Sequence, residues 1–336
     1  MTSPTIVGQG LAGSLLTWAF LQRGIVPTVY DPYPLNTSSR IAAGVINPLI
    51  GKRKLQLSWN AELLAPFAFG TFQHMQEEFG VPIIRTVPIL RVFATQELCE
   101  QWKGMKGGKA MAWLNVEDVP PGSYNGIDVP FGGYLLHDAA IVDFGAVIDG
   151  VRTRVQELGV VHSHAYDGSE QQGVVIWCEG WTMTHNPLWD WIPMEPVKGE
   201  VLDVQISTLS TEQIVVGECA IVPLHDGTFR IGSTYDWDDL TEAPTQSARE
   251  ALLYQCAKVV HGMVHVVDHR AAVRPAARSK RPFVGVHPTQ SQHVIFNGLG
   301  TKGGLVGPYY AQHLVEHLLD RAAIDDDVDV QQWWTK

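Results

Sequence analysis

Hydrophobic positions along the chain change period several times, and each change marks an element. Residues 5–8 form a short apolar run. A helical pattern covers about Leu11 to Arg23, and a second apolar run, "PTVYD", ends at Asp31. A buried strand, a helix and a second buried strand predict the opening of a parallel α/β unit. The segment "SSRIAAGVINP" predicts a short helix running into a turn. From Ser58 to Gly80 the apolar spacing is helical, with an interruption at Pro66, which has no N–H to give. One strand is expected over "IIRTVPILRVF", a helix over Thr95 to Lys103, and then a Gly/Pro-rich passage to Gly133. Asp143 is placed to cap the helix "FGAVIDGVRTRVQELG". The strands "VVHSHA" and "GVVIWCEGW" (173–181) follow, and the second ends in glycine, as strands do at a ligand edge.

The pattern then becomes strand-rich. "PVKGEVLDVQI", "IVVGECAIVPL" and "TFRIGSTYD" are long strands with short polar turns, which predict an antiparallel sheet, and a helix around Pro244–Val260 interrupts them. After "HVVDHRAAVRP" the opening pattern returns: the strand "HVIFNG", the glycine loop "LGTKGG" and a helix from about Leu305 to Ala322. Both chain ends therefore build one parallel domain, with a strand-rich domain inserted. The expected division is 1–82, 138–190 and 270–336 for the first, and 83–137 and 191–269 for the second.

Composition narrows the function classes. Of 336 residues, 45% are hydrophobic and 18% charged, a globular balance. No apolar stretch is long enough to span a membrane, and a strand begins within a few residues of Met1, so a cytoplasmic protein is expected. The formal net charge of −11 opposes a broad phosphate-binding surface and argues against nucleic acid as the main partner. Cys99, Cys178, Cys219 and Cys256 are scattered and suit buried thiols. His261, His265 and His269 recur every four residues, and His313 with His317 forms an i, i+4 pair expected on an exposed face. No Cys or H-E-x-x-H pattern accompanies them, so no metal is expected. The acidic run from Asp325 to Asp329 reads as a solvated tail.

The candidate chemistry begins at Gly8, Gly10 and Gly13, which have the G-x-G-x-x-G spacing on the first strand-to-helix turn. Gly8 allows the tight turn, Gly10 lets the backbone approach a diphosphate, and Gly13 permits close helix–strand contact, while the helix N-terminus favours phosphate charge. Asp31 stands where a carboxylate accepts ribose hydroxyls and repels a 2′-phosphate. The glycines alone do not separate NAD from FAD.

Downstream segments do. "SSRIAAGVINP", "YLLHDAAIVDFGAVIDGV", "PVKGEV", "AIVPLHDGTFRIGSTYD", "AAVRP" with "RPFVG", and "NGLGTKGGLVGP" come in the order found in the D-amino-acid oxidase and glycine oxidase family of FAD-dependent oxidoreductases. The chain resembles that family from Thr5 to about Leu319. The resemblance implies an α/β fold with a Rossmann-like FAD-binding domain of the glutathione-reductase-2 type and an inserted antiparallel or mixed-sheet substrate domain. It implies that Gly8, Gly10, Gly13 and Asp31 hold the ADP half of FAD. Ser39, Arg40, Ala43 and Gly44 would follow the diphosphate and flavin, and Val161 and Gly180 would stand near the adenine and the sheet edge. Gly298, Gly300, Lys302 and Gly303 would surround the pyrimidine ring, and Arg274 would grip a substrate carboxylate. FAD is expected to be non-covalent, because no Cys or His lies in "GLGTKGG" or "VRPAARSKRP".

In this reading the substrate is an amino acid or N-substituted glycine whose C–N bond is oxidised by hydride transfer to flavin N5, with oxygen or another acceptor taking the electrons. Arg274 and Lys302 are its catalytic candidates; an ion pair between domains is the lesser alternative for Arg274, and an exposed loop suits Lys302 equally well. Two places depart from the family pattern. Ala220 stands where a substrate-holding tyrosine is common, and "RSKRP" supplies Arg278, Lys280 and Arg281 where an acid is common. Three other readings stay open: a 2-hydroxy-acid dehydrogenase with His225 or His269 as base, the oxidase half of a tRNA-wobble-modifying enzyme, and a flavin-binding protein without catalysis.

Overall fold

The computed structural model describes residues 3–51, 53–168 and 173–335. Its first sheet has six strands in the order Val161–His162, Thr28–Tyr30, Thr5–Val7, Val175–Trp177, His293–Asn297 and Phe283–Val286. All neighbours are parallel except the last pair, which is antiparallel. The first helix, Leu11–Gln22, has no continuous polar face and is buried along most of its length, as an all-round apolar helix must be. It packs against Phe144–Glu157 and the last helix, Gly303–Asp320, which also meets the long helix Ala61–Phe79. Ile6, Leu16, Phe20, Phe72, Phe296 and Leu314 share the resulting core. Burying each of its large side chains contributes roughly 1.5–3 kcal/mol.

The second sheet has eight strands: Val264–Arg274, Val197–Ile206, Phe229–Gly232, Ala220–Pro223, Ile214–Val216, Ile89–Val92, Gly133–Leu136 and Val116–Val119. It is mixed, because Ile214–Val216 runs parallel to Ile89–Val92 while its other neighbours are antiparallel. Leu90, Leu202, Phe229, Ile231 and Leu252 belong to its own core. Helix Gln246–Ala257 packs on this sheet and starts at Thr245, whose side chain accepts from the Ala248 N–H.

Three details differ from the sequence reading. "IIRTVPILRVF" is two strands in different sheets, Ile84–Thr86 and Ile89–Val92, separated by Val87 and Pro88. Pro88 has no N–H for a ladder, so the chain changes sheet there. The passage before Gly133 contains the strands Val116–Val119, Gly122–Tyr124 and Ile127–Val129. His313 and His317 are half-buried and hold the chain that follows the last helix. Asp325 N donates to His313 Nε2 at 3.2 Å, and His317 Nδ1 lies 2.7 Å from Ala322 O.

The strand Val264–Arg274 runs unbroken for 11 residues, so the domain division expected at 269/270 falls inside it. Cys178, Cys219 and Cys256 are buried thiols and Cys99 is a half-buried one, none of them in a disulfide. Among the described residues no helix is long and apolar enough to cross a membrane.

Candidate functional site

The carboxyl ends of strands Thr5–Val7, Thr28–Tyr30 and Val175–Trp177 open into a cavity of about 750 Å³, which extends to the face of the eight-stranded sheet. That volume lies toward the upper end for a ligand pocket. Open parallel sheets bind ligands beyond the carboxyl ends of their strands, where helix N-termini also converge. Here two helices begin at the wall: Gly10, Leu11 and Ala12 come from the first, and Gly300, Thr301, Gly303 and Gly304 from the approach to the last. Their helix dipoles, and first-turn N–H groups that have no partner within the helix, favour negative charge in the cavity.

The glycine turn is sterically required. Gly8 has φ +92°, and a Cβ there would meet Cys178 O at 2.6 Å. A Cβ at Gly13 would lie 1.9 Å from Gly8 O, so helix and strand touch backbone to backbone. Ser39 Oγ accepts from Leu11 N at 3.0 Å, so the second segment supplies a cap to the first helix. Asp31 accepts from Gln9 N at 2.6 Å with Oδ2 and from Tyr33 N at 2.5 Å with Oδ1. It lines the cavity and keeps lone pairs for ribose hydroxyls. Tyr30, Pro32, Pro34, Ala165 and Tyr166 continue this end of the wall. A dinucleotide therefore fits: bare backbone, two helix N-termini and an anchored carboxylate meet in one elongated cavity.

The other end is built on the eight-stranded sheet. Arg274 lies flat over Gly199, where a Cβ would come within 1.9 Å of Nη2 and 2.2 Å of Cζ. Arg274 Nη2 donates to Ser233 Oγ at 2.6 Å and Nη1 to Thr234 O at 3.3 Å, and its Cζ lies 4.9 Å from the Tyr235 ring centre. Burial lowers the Arg274 pKa, against the opposing influence of Tyr235. Ala43, Val45, Val201, Ala220, Val222 and Ala272 make the surrounding wall small and apolar. Arg230 also lines it, but its Nε and Nη2 are paired with Asp203 at 2.7 and 2.9 Å, while Nη1 donates to Ile41 O at 2.9 Å and Ala42 O at 3.3 Å. Those bonds satisfy the end of the short helix Ser38–Ile41 and fix the segment carrying Ala43 and Gly44 between the two sheets.

Of the sequence candidates, Gly8, Gly10, Asp31, Ser39, Ala43, Gly44, Gly180, Arg274, Gly300 and Gly303 line this one cavity. Gly13, Arg40, Val161, Gly298 and Lys302 stand outside its lining. Arg40 Nη2 is paired with Asp149 at 2.5 Å. Gly298 has φ +73°, and its Cβ position is 2.7 Å from Phe283 Cδ2. Lys302 is half-buried beside the loop, and burial, then the nearby Lys280 charge, lower its pKa. Arg278 and Arg281 pair with Glu195 and Asp327, and neither these nor Lys280 line the cavity. Among the described lining residues there is no histidine: His225 is exposed on a turn, and His269 Nε2 stands 2.9 Å from Glu200 Oε2, outside hydrogen-bond geometry.

Gly199, Tyr235 and Glu179 escaped the sequence reading. Glu179 lines the cavity one residue before Gly180; burial raises its pKa, against the hydrogen bond from Asn186 Nδ2. Its place at a strand end was the available signal.

Comparison with known proteins gives a consistent picture. The profile of the family described as FAD dependent oxidoreductase, DAO, matches residues 5–317. Glycine oxidase of Bacillus licheniformis is 28% identical over 127 residues, which are 37% of this chain and 34% of that protein. The tRNA 5-methylaminomethyl-2-thiouridine biosynthesis bifunctional protein of Marinobacter nauticus is 22% identical over 355 aligned positions, 95% of this chain and 56% of its own. The matches thus span about a third and just over half of these relatives' lengths. The crystal structure of iminodiacetate oxidase from Chelativorans sp. BNC1 superposes with a TM-score of 0.83 at 17% identity, over 97% of this chain and 98% of that one. At that identity the likeness speaks for the fold.

Proposed function

The chain belongs to the FAD-dependent oxidoreductase family DAO, and we propose that it is an amine or amino-acid oxidase or dehydrogenase acting on the C–N bond of a carboxylate-bearing substrate. The observation that carries this reading is the presence of Arg274 at one end of the cavity that has the glycine turn and Asp31 at the other. Gly8, Gly10, Asp31 and the first helix N-terminus hold the ADP half of FAD, with Gly13 allowing that helix its close approach. Ser39, Ala43, Gly44, Gly180, Gly300 and Gly303 line the path to the reacting end, and the cofactor stays non-covalent. When bound, FAD supplies the two-electron acceptor that takes the substrate's hydride.

The protein's own task is orientation and exclusion of water. A guanidinium pairs with a carboxylate through two parallel charge-assisted bonds, which sets the rotation of the amino acid as well as its position. The small apolar wall leaves the α-carbon in a dry site. The N-terminus of the last helix stabilises negative charge developing in the cavity. Lys302, behind the wall, adds positive charge to that helix end without touching substrate. The sequence match to glycine oxidase supports an amine substrate. The described lining residues include no histidine, which also disfavours a hydroxy acid whose alcohol proton is taken by a histidine base.

The test is anaerobic mixing of purified protein, reconstituted with FAD, with sarcosine-type amines, D- and L-amino acids, proline and 2-hydroxy acids. Bleaching of the flavin by carboxylate-bearing amines is the expected result. Arg274→Ala should keep FAD and lose apparent affinity for those amines; reduction by hydroxy acids alone would overturn the proposal.

A further inference from the structure

Two large aromatic side chains stand exposed side by side, one lining the cavity and the other stacked on it. Tyr235 and Trp237 are 53% and 60% exposed, and their rings stack at 6.0 Å with an interplanar angle of 25°. Tyr235 lines the cavity and its ring touches Arg274, so the pair continues outward from the carboxylate-binding end. Isolated exposed apolar residues need no explanation, whereas adjoining ones at a cavity rim mark a contact surface.

The rings are held there by buried chemistry beneath the segment 233–245. Lys198, fully buried on the strand Val197–Ile206, reaches into this segment. Its Nζ donates to Asp239 Oδ2 at 2.5 Å and Ala243 O at 2.6 Å, and lies 3.4 Å from Thr241 Oγ1. Lys198 and Asp236 also exchange backbone hydrogen bonds of 2.8 and 3.0 Å. Glu200, buried on the same strand, accepts from Thr245 N and Thr245 Oγ1, both at 2.8 Å. The segment is thereby fastened on both sides of the ring pair, which limits the ordering cost when a ligand meets it.

The charges around the rings define what they accept. Asp236 and Asp238 are exposed on the same segment, and Glu242 lines the mouth. These carboxylates disfavour an anionic group, and the flat exposed faces of the ring pair offer an aromatic ring an apolar surface to stack on. We infer that Tyr235 and Trp237 form a stacking subsite for an uncharged aromatic ring carried by the substrate's nitrogen substituent, with the substrate carboxylate held inward on Arg274. The inference rests on the proposed amine chemistry and deepens it: the substrate class is an N-arylmethyl glycine or a close analogue. A rim of carboxylates is the wrong surface for a polyanion such as RNA.

The FAD-loaded protein tests this with sarcosine, N-benzylglycine, N-(cyclohexylmethyl)glycine and N-(4-carboxybenzyl)glycine, read as anaerobic flavin reduction. (Benzylthio)acetate and (methylthio)acetate, which have no amine to oxidise, are titrated in parallel by the perturbation of the flavin spectrum. Benzyl should exceed methyl and cyclohexylmethyl in kcat/KM, with the carboxybenzyl compound weakest among the aromatic pair. Trp237→Ala should reduce the benzyl-to-methyl ratio about three- to tenfold, the range expected of an aromatic contact, and Trp237→Phe should restore most of it. A benzyl-to-methyl ratio near one, or one unchanged by Trp237→Ala, overturns the subsite. If no amine bleaches the flavin, the thioacetate pair still decides the subsite, because it measures binding alone, while the amine chemistry falls separately.

Discussion

Gly199→Ala isolates the contact on which the carboxylate role of Arg274 depends. Gly199 sits on the long strand Val197–Ile206, paired across the ladder with Ala272, two residues from Arg274. Its Cβ position would be 1.9 Å from Arg274 Nη2 and 2.2 Å from both Cζ and Nη1, well inside any real contact. The obstructing atoms are the tip of a flexible side chain, and Gly199 has no left-handed backbone to strain. The collision is therefore relieved by lifting the guanidinium, which breaks its bonds to Ser233 Oγ and Thr234 O and moves it from the substrate carboxylate. A hydrogen bond to a charged group is worth about 1.5–3 kcal/mol, so displacement of the guanidinium should lower kcat/KM for a carboxylate-bearing amine about ten- to a hundredfold.

Stopped-flow anaerobic reduction at varied substrate concentration separates the apparent dissociation constant from the limiting rate, and the flavin spectrum reports cofactor retention. The loss should fall mainly on affinity. Gly199→Ala combined with Arg274→Ala should be little worse than Arg274→Ala alone, because one displaced group cannot be lost twice. Additive losses, or an unchanged affinity in Gly199→Ala, would refute the argument.

Three further outcomes follow from other contacts. Gly13→Ala places a methyl group 1.9 Å from the Gly8 carbonyl oxygen; rigid backbone cannot swing away, so flavin retention and the unfolding midpoint should both fall in absorbance and thermal scans. Lys198→Met removes the buried cation 3.7 Å from the buried Glu200 and unties Asp239 and Ala243; breaking a buried pair such as Lys198–Glu200 costs about 3–5 kcal/mol, and denaturant titration should show this, with faster proteolysis inside 233–245. Burial alone would raise the Asp203 pKa, but hydrogen bonds and charge from Arg230 and Arg270 bring it below the ordinary value. Its contribution is therefore complete above about pH 4, the unfolded value, and disappears as pH falls through the lower folded value; Asp203→Asn should flatten stability against pH in that acid window.

The parts of this site that were legible in the sequence are those where local backbone geometry dictates the residue. Gly8 needs its left-handed φ and Gly13 its missing Cβ, so their spacing announces the turn before any fold is known. Asp143 capping its helix and the short strands of the parallel sheet are local in the same sense. Gly199 is different. Nothing near it in the chain demands glycine; the demand comes from Arg274, far along the sequence and brought alongside by strand pairing. The same reason hid Tyr235 and Trp237, whose meaning depends on Lys198 anchoring their segment from beneath. Lys302 shows the converse: its loop reaches the cavity, but its own side chain stands outside the lining. A motif thus locates backbone at a ligand more securely than it assigns a task to each side chain, because the task depends on which distant surface the fold sets opposite it.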